Sequence, residues 1–376
     1  MRILHVAESV KGGCGTYLDQ LVGAQLADSA IQNVHAIVPD AHVSQLANIP
    51  LERLTLFRSQ GRSPASLMAL WRAVQQVTQT FRPDCVHLHS TFAGAIGRLG
   101  FASRRPRPSI VYCAHGWAFD MEGSAARRTI MASAERALAF GCEGIIAISG
   151  HERRRAIEVG IAPERIVTVL NGIVDLPPPP PPRPGSVRKV LFIGRLDRQK
   201  GIDVLLSAID GLHDRVSLRI IGASVVGDQA LTHSPRAGVD LLGWCDEAGI
   251  QEELAWADCV VVPSRWEGFG LVAVEAMRAG RAVIASKAGG LPEVIEDGVT
   301  GWLVRPEDPA ELRSVLLSLS HAQLVDAGAA GRQRFVRRFT IDRTTTALNA
   351  VYTQAIAMRS SISHALPHAA SAQAAG

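Results

Sequence analysis

The chain has 376 residues, of which 47% are hydrophobic and 20% charged, with a formal net charge of +4 and a pI of about 8.9. Its length exceeds what one core usually serves, so two domains of roughly 150 to 190 residues are expected, and its composition excludes a wholly disordered chain. The mild positive charge suits anionic partners without selecting among nucleic acid, lipid and diphosphates.

Six cysteines, at 14, 85, 113, 142, 245 and 259, form no C-x-x-C pair, so neither a zinc site nor a disulfide framework is indicated and a reducing cytoplasm fits. The start "MRILHVAESV" reads as a first β-strand rather than a signal peptide, and no apolar stretch is long enough to span a bilayer. Any membrane contact would be peripheral. Arg104, Arg105 and Arg107 form one basic cluster and Arg153, Arg154 and Arg155 another. These suit a solvated face or anionic lipid headgroups; without interleaved aromatics they argue against nucleic acid.

In chain order, strands are expected at 3–7, 34–38, 85–89, 110–114, 144–149 and 166–170, with helices near 16–28, 66–80 and 124–140. This alternation predicts a parallel sheet covered by helices. After the first strand comes "SVKGGCGTYLDQL", where Gly12, Gly13 and Gly15 turn the backbone at a helix start and offer amides to an anion or sugar oxygens. Three readings fit: a substrate-contacting loop, a structural turn, or a dinucleotide loop with Asp40 as the ribose acid. The last requires a glycine at position 18, which is Leu. His87, His89 and His115 fall at strand carboxyl ends without an H-E-x-x-H or accompanying carboxylate motif, so no metal is assigned. His115, before Gly116, is positioned either to hydrogen-bond a substrate hydroxyl or to serve the structure.

The run "LPPPPPPRPGS", with seven prolines between 177 and 184, predicts a stiff extended spacer. It separates a first domain at 1–175 from a second at 187–341, with the linker at 176–186. The second half repeats the architecture, with strands at 189–194, 217–222, 239–243, 259–264, 282–286 and 301–306 separated by helices. In "FIGRLDRQKG", Gly194 ends a strand while Arg195 and Lys200 stand where they either hold a diphosphate or remain solvated surface cations. In "EGFGLVAVE", Gly268 and Gly270 open a helix whose first amides offer positive potential to a phosphate; Glu267 before it and Glu275 inside it are either sugar- and ribose-facing acids or a solvated helix start and an exposed helical glutamate. An amphipathic helix is expected at 342–358, with Leu348, Val351 and Ile356 near one face, then a flexible tail at 359–376.

These motifs, in this order, resemble retaining glycosyltransferases of the GT-B fold, particularly the large group 4 family. The likeness covers about 1–358 and rests most specifically on Glu267 and Glu275 as an E-x7-E pair, supported by "GGCG", "HG" at 115–116, "NG" at 171–172, "GRLDRQKG" and "AGGLPEVIEDGVTGWLV". It implies an α/β chain of two Rossmann-like domains facing across a cleft, the first on the acceptor side, and a C-terminal helix returning to that domain. It implies sugar transfer, with retention, from a nucleotide diphosphate sugar, and no cofactor or metal. By the same likeness Arg195 and Lys200 bind the diphosphate, Glu275 the ribose and Glu267 the donor sugar. Gly194, Gly268, Phe269, Gly270 and Leu271 line the donor site, and Gly243 and Trp244 lie beside the base. Gly13 and Gly15 approach the donor; Gly13, His89 and His115 line the acceptor side, with His115, Glu267, Arg195 and Lys200 as the reacting set. The implied acceptor is a carbohydrate or a polyprenyl-diphosphate-linked glycan, in exopolysaccharide, capsule or lipopolysaccharide synthesis at the inner face of the cytoplasmic membrane. Competing classes are a nucleotide-sugar epimerase, a sugar phosphorylase, a NAD-dependent dehydrogenase and a noncatalytic nucleotide-sugar-binding protein.

Overall fold

The computed structural model of the protein describes residues 1–61, 63–104, 106–223 and 237–365. These residues form two compact units. The first comprises Met1–Ala147, Arg155–Val169 and the chain from Thr345 onward; the second comprises Ile148–Arg154 and Leu170–Thr344.

Among the described residues the first unit holds a seven-stranded parallel sheet: β1 (Arg2–Ala7), β2 (Asn33–Pro39), β3 (Leu54–Phe57), β4 (Cys85–His89), β5 (Ser109–Cys113), β6 (Gly144–Ala147) and β7 (Ile166–Thr168). The order is β3-β2-β1-β4-β5-β6-β7. The second unit holds six parallel strands: β8 (Arg188–Ile193), β9 (Val216–Ile221), β10 (Val239–Gly243), β11 (Cys259–Val262), β12 (Ala282–Ser286) and β13 (Gly301–Val304), ordered β10-β9-β8-β11-β12-β13. Inner strands buried on both faces read as nearly unbroken apolar runs. Thus β11, "CVVV", and β12, "AVIAS", are buried throughout. Each sheet reverses its strand order once, between β1 and β4 and between β8 and β11. Loops leaving the carboxyl ends at such a reversal splay apart and leave a crevice. The glycine turn after β1, the segment after β4, and the loops after β8 and β11 therefore occupy equivalent places in the two units.

Strand β3 and several helices, among them Thr91–Ala102, escape the sequence pattern. Strand β3 is a short sheet edge, partly buried at Leu54 and Thr55, exposed at Leu56 and buried only at Phe57, so it lacks the apolar run of an inner strand. The helix Thr91–Ala102, "TFAGAIGRLGFA", carries three glycines that lower helical propensity. Here they allow close packing: a Cβ on Gly94 would lie 2.2 Å from the Tyr112 ring and one on Gly97 2.5 Å from Leu88.

Several boundaries shift. Ile148–Arg154 and Leu170–Asp175, expected in the first domain, pack with the second unit. The spacer carries no helix or strand between Leu176 and Ser186. It lies along the second unit, where the buried Arg281 guanidinium donates to the Pro180 carbonyl at 2.8 Å. The last helix runs Ile341–Ala365, so 359–365 continue it rather than form a free tail. From Thr345 onward this helix belongs to the first unit, where Leu348, Val351, Tyr352 and Ala355 are buried and Ile356 only partly so. The expected helix between β9 and β10, and the tail from 366 onward, lie outside the described residues. Among the described residues no helix is long and apolar enough to cross a membrane.

Candidate functional site

In the second unit, the loops after β8 and β11 are drawn together. Gly201, with φ +65°, lies so close to the Pro263 carbonyl that a Cβ would come within 2.1 Å of its oxygen. This contact brings Lys200 to Glu267, whose Oε2 accepts from Nζ at 2.5 Å and from Ser264 Oγ at 3.3 Å. Both charged side chains keep a minority of their surface in solvent, 19% and 13%. Arg195 donates to Asp197 at 2.7 Å and to Gln199 at 2.6 Å while 41% of its side chain stays exposed. Arg265 fixes the far side of the same loops through a two-pronged pair with Asp203 at 2.8 and 2.7 Å.

The turn Glu267–Gly270 is held from behind. Gly290 N donates to the Glu267 carbonyl at 3.0 Å, and Gly289 has φ +55° with the same carbonyl oxygen 1.7 Å from where a Cβ would stand. Ser149 Oγ donates to the Gly268 carbonyl at 2.9 Å, and Gly150 N donates to Glu293 at 2.6 Å. The buried Phe269 packs edge-to-face with Phe339, ring centres 5.9 Å apart. Gly270 then caps the helix Leu271–Arg278, and the amides of Phe269, Gly270 and Leu271 have no acceptor among the described residues. Glu275 is half-buried one turn on. Its carboxylate has no hydrogen-bond partner among the described residues, and burial pushes it up to about 7 against the pull of Arg278 and Lys200, with Glu247 adding to the rise. Gly194, just past β8, and Gly243, at the end of β10, stand on either side of the end of β9: Gly194 N donates to the Ile221 carbonyl and Gly222 N to the Gly243 carbonyl, and Trp244 beyond is 64% exposed.

In the first unit, Gly13 opens the helix Gly13–Leu26 after Gly12. Gly15 is buried in its first turn, its amide already donating to the Gly12 carbonyl at 2.8 Å, so it has no free donor for a ligand. Its hydrogen sits against the Val10 carbonyl, where a Cβ would come within 2.0 Å. Glu8 accepts from Ala93 N at 2.9 Å, fixing the helix after β4 to the end of β1.

The histidines form a hydrogen-bonded row. His115 Nε2 lies 2.9 Å from His89 Nδ1, His89 Nε2 2.9 Å from His5 Nδ1, and His5 Nε2 2.7 Å from Gln25 Oε1. His89 is fully buried with both ring nitrogens occupied, so it has no face for an acceptor; its place is behind His115. His115, partly exposed with φ +53°, carries the only ring edge of the row that reaches the end of β5. His87 turns the other way, its Nδ1 2.8 Å from the Tyr352 hydroxyl. Burial lowers His5 and His115 to about 4 and holds His87 and His89 well below the usual imidazole range, where each neighbouring imidazole opposes protonation further. The ligand atoms of His5, His87 and His89 lie within 4.8 Å of one another, but the nitrogens of His5 and His89 bond in series rather than converge.

Sequence reasoning missed His5, Gln25, Tyr352 and Ser149 as parts of these sites, and gave Gly289, Gly290 and Glu293 no role beyond their place in the motif "AGGLPEVIEDGVTGWLV". Only His5 left a signal, a polar residue inside the apolar run "ILHVA". The arginine clusters are largely engaged: Arg107 pairs with Glu143 at 2.8 Å, Arg154 with Glu293 at 3.2 Å and Arg155 with Asp120 at 2.7 Å. Arg105 lies outside the described residues.

Two families match the chain in sequence. Residues 12–172 match the family described as "Glycosyl transferase 4-like domain", and residues 187–321 that described as "Glycosyl transferases group 1". A Klebsiella pneumoniae protein named "Uncharacterized 41.2 kDa protein in cps region" is 34% identical over 84% of this chain and 89% of its own length. Sucrose-phosphate synthase from Thermosynechococcus elongatus has a TM-score of 0.81 at 21% identity, covering 95% of this chain and 100% of that one. Anabaena Alr3699/HepE, solved in complex with UDP-glucose, has a TM-score of 0.72 at 21% identity, covering 94% of this chain and 99% of that one.

Proposed function

The chain belongs to the group 1 and 4-like glycosyltransferases, with the GT-B fold of two Rossmann-like units and a nucleotide-sugar donor, and on that premise we propose how its two polar sites divide the reaction. The second unit binds the donor. Lys200 and Arg195 take its diphosphate, joined by the unpaired amides of Phe269, Gly270 and Leu271 at the positive end of a helix. Glu275, the one acid of the site without a hydrogen-bond partner, receives the ribose hydroxyls. Glu267 orients the donor sugar while holding Lys200 in place. Trp244 and Gly243 flank the base, with Gly194 at the phosphate end. The first unit supplies the acceptor side through Gly13 and His115. The observation that carries this reading is the Lys200–Glu267 pair beside a partnerless Glu275, a cation and two acids in three distinct electrostatic settings on one pair of loops.

The reaction is a retaining transfer. The bond between the anomeric carbon and the diphosphate oxygen breaks, and a bond to the acceptor oxygen forms on the same face through an oxocarbenium-like state. The acceptor proton passes to the departing phosphate oxygen, whose growing charge Lys200, Arg195 and the helix amides stabilise. Glu267 positions the sugar and forms no covalent bond to it.

UDP-sugars head the donor classes, because a structure of like fold holds UDP-glucose; GDP-mannose belongs in the same screen. A carbohydrate or polyprenyl-diphosphate-linked glycan is the acceptor class, in keeping with the cps-region relative, and cytoplasmic action at the inner membrane face follows from such an acceptor. Contact with anionic lipid falls to other residues than Arg107, Arg154 and Arg155, which are paired. The test is a donor screen that reads both nucleotide diphosphate release and a glycosylated acceptor. Transfer with the α-configuration retained is the expected result; release without a glycosylated product would assign hydrolysis instead. Flotation with anionic liposomes tests attachment, and absence of binding at low salt would remove it.

A further inference from the structure

A neutral imidazole carries one N–H donor and one lone pair. In a row of neutral imidazoles bonded nitrogen to nitrogen, each link must therefore have one ring donating and the next accepting. A single choice of tautomer at one end fixes every ring up to the other. The row Gln25–His5–His89–His115 meets these conditions. Its three links measure 2.7, 2.9 and 2.9 Å, and Gln25, His5 and His89 are all fully buried. The groups around it are His87, 4.0 Å from His89 between ring centres, Tyr17 against His89 and His115, and Tyr352, whose hydroxyl meets both His87 and the Gln25 side chain. Burial opposes a proton on all three rings, joined at His89 by the neighbouring imidazoles and countered at His5 only by the Gln25 hydrogen bond, and no carboxylate holds a proton on the row.

The end residue breaks the symmetry. Gln25 presents its carbonyl oxygen, which only accepts, to His5 Nε2. His5 must then donate from Nε2 and accept at Nδ1, His89 must donate from Nε2 to His5 and accept at Nδ1, and His115 must donate from Nε2 to His89. His115 is left with a bare Nδ1 lone pair at the end of β5, and that nitrogen has no partner among the described residues. We propose that Gln25 is a positioning residue that acts through His5 and His89 to set the tautomer of His115, so that His115 meets a substrate hydroxyl as an acceptor and not as a donor. The assignment of a hydroxyl rests on the sugar-transfer reading above; the tautomer itself does not.

Nitrogen-15 NMR of the imidazoles in the ligand-free full chain tests the proposal without any donor or acceptor. His5, His89 and His115 should each show protonated Nε2 and bare Nδ1. Protonated Nδ1 on any of the three in the wild-type protein overturns it. Gln25→Leu removes the accepting oxygen at similar size, and His115 should then lose its single tautomer, with about a tenfold fall in kcat/KM, the scale of one hydrogen bond lost in the transition state. A folded Gln25→Leu protein whose His115 signals match wild type would equally refute the relay. If Gln25→Leu does not fold, the wild-type spectrum decides alone. A confirmed tautomer in a protein that transfers no sugar would leave the relay standing and remove only its assignment to a hydroxyl of the transfer reaction.

Discussion

Both sheets carry polar side chains at the point where their strand order reverses, but the two units treat charge in opposite ways. In the first, imidazoles are buried, held neutral and linked in series, each occupying its neighbour's nitrogen. In the second, Lys200–Glu267, Arg195–Asp197 and Arg265–Asp203 are ionised pairs that keep contact with water. Full burial of such pairs would carry a desolvation cost that their attraction need not offset, whereas partial exposure lets a cation exchange partners. A diphosphate needs cations that can be re-partnered; a sugar hydroxyl needs a neutral group of fixed hydrogen-bond sense. On the division of labour proposed above, this contrast is what would separate a donor side from an acceptor side on two sheets of like topology.

The largest effect should come from breaking the ionised side. Lys200→Ala is expected to lower kcat by about 10²–10³-fold, the scale for losing one preorganised group that stabilises developing charge. Arg195→Ala should cost less, since Arg195 is more exposed and already divided between Asp197 and Gln199. Steady-state rates of glycosylated product on folded protein measure both. Wild-type turnover by Lys200→Ala would place the diphosphate elsewhere and dissolve the contrast.

How the two sides were read from sequence differs for the same physical reason. Ionised loops stay near the surface and near their own strand ends, so Arg195, Lys200, Glu267 and Glu275 stood out in local motifs, and the inner strands stood out as apolar runs. The row of histidines depends on register: β1 pairs with β4 so that His5 stands beside His87, and Gln25 comes from a helix twenty residues away. No local pattern shows that His89 is enclosed and His115 is not. Likewise Ser149 and Glu293 support the Glu267–Gly270 turn through contacts 119 and 143 residues apart in sequence, a separation that spacing alone does not encode.

Acid should strike the neutral side next. His5 titrates near 6.5 when unfolded and about 4 in the fold, lowered by burial. Between those values the unfolded chain binds a proton that the folded chain refuses, so the stabilisation is complete above 6.5 and is lost as pH falls through 4. The full loss for His5 is about 3 kcal/mol. Urea unfolding from pH 7.5 to 4 should show it, and His5→Phe should flatten the slope. A smaller loss tests the branch of the cluster: Tyr352→Phe removes the one bond of His87, whose other nitrogen is already buried without a partner. Stability should fall by about 1–3 kcal/mol, read as a lower urea midpoint at unchanged slope. An unchanged midpoint would mean that His87 does not hold the last helix to the first unit.

The finest test asks whether the second unit responds to pH with the opposite sign. Glu275 is raised from about 4.5 to about 7 by burial, so the folded chain keeps a proton that the unfolded chain releases between those values. Its stabilising contribution is present below 4.5 and lost as pH rises through 7. Glu275→Gln, fixed in the uncharged form, should therefore match wild type near pH 4.5 and become relatively more stable as pH rises to 8. The gap should be smaller than the His5 effect, because Glu275 is half-buried and solvent softens the cost of its charge. Nucleotide binding should move the other way, since an amide accepts more weakly from ribose hydroxyls than a carboxylate does. Isothermal titration with UDP at pH 8 would read that as a raised Kd for Glu275→Gln. A variant that gains stability at high pH and loses UDP affinity would show the raised acid to be kept for its ligand. Gain without loss would make Glu275 a buried acid with no part in holding the nucleotide, and the sign difference between the two units would then reflect packing alone.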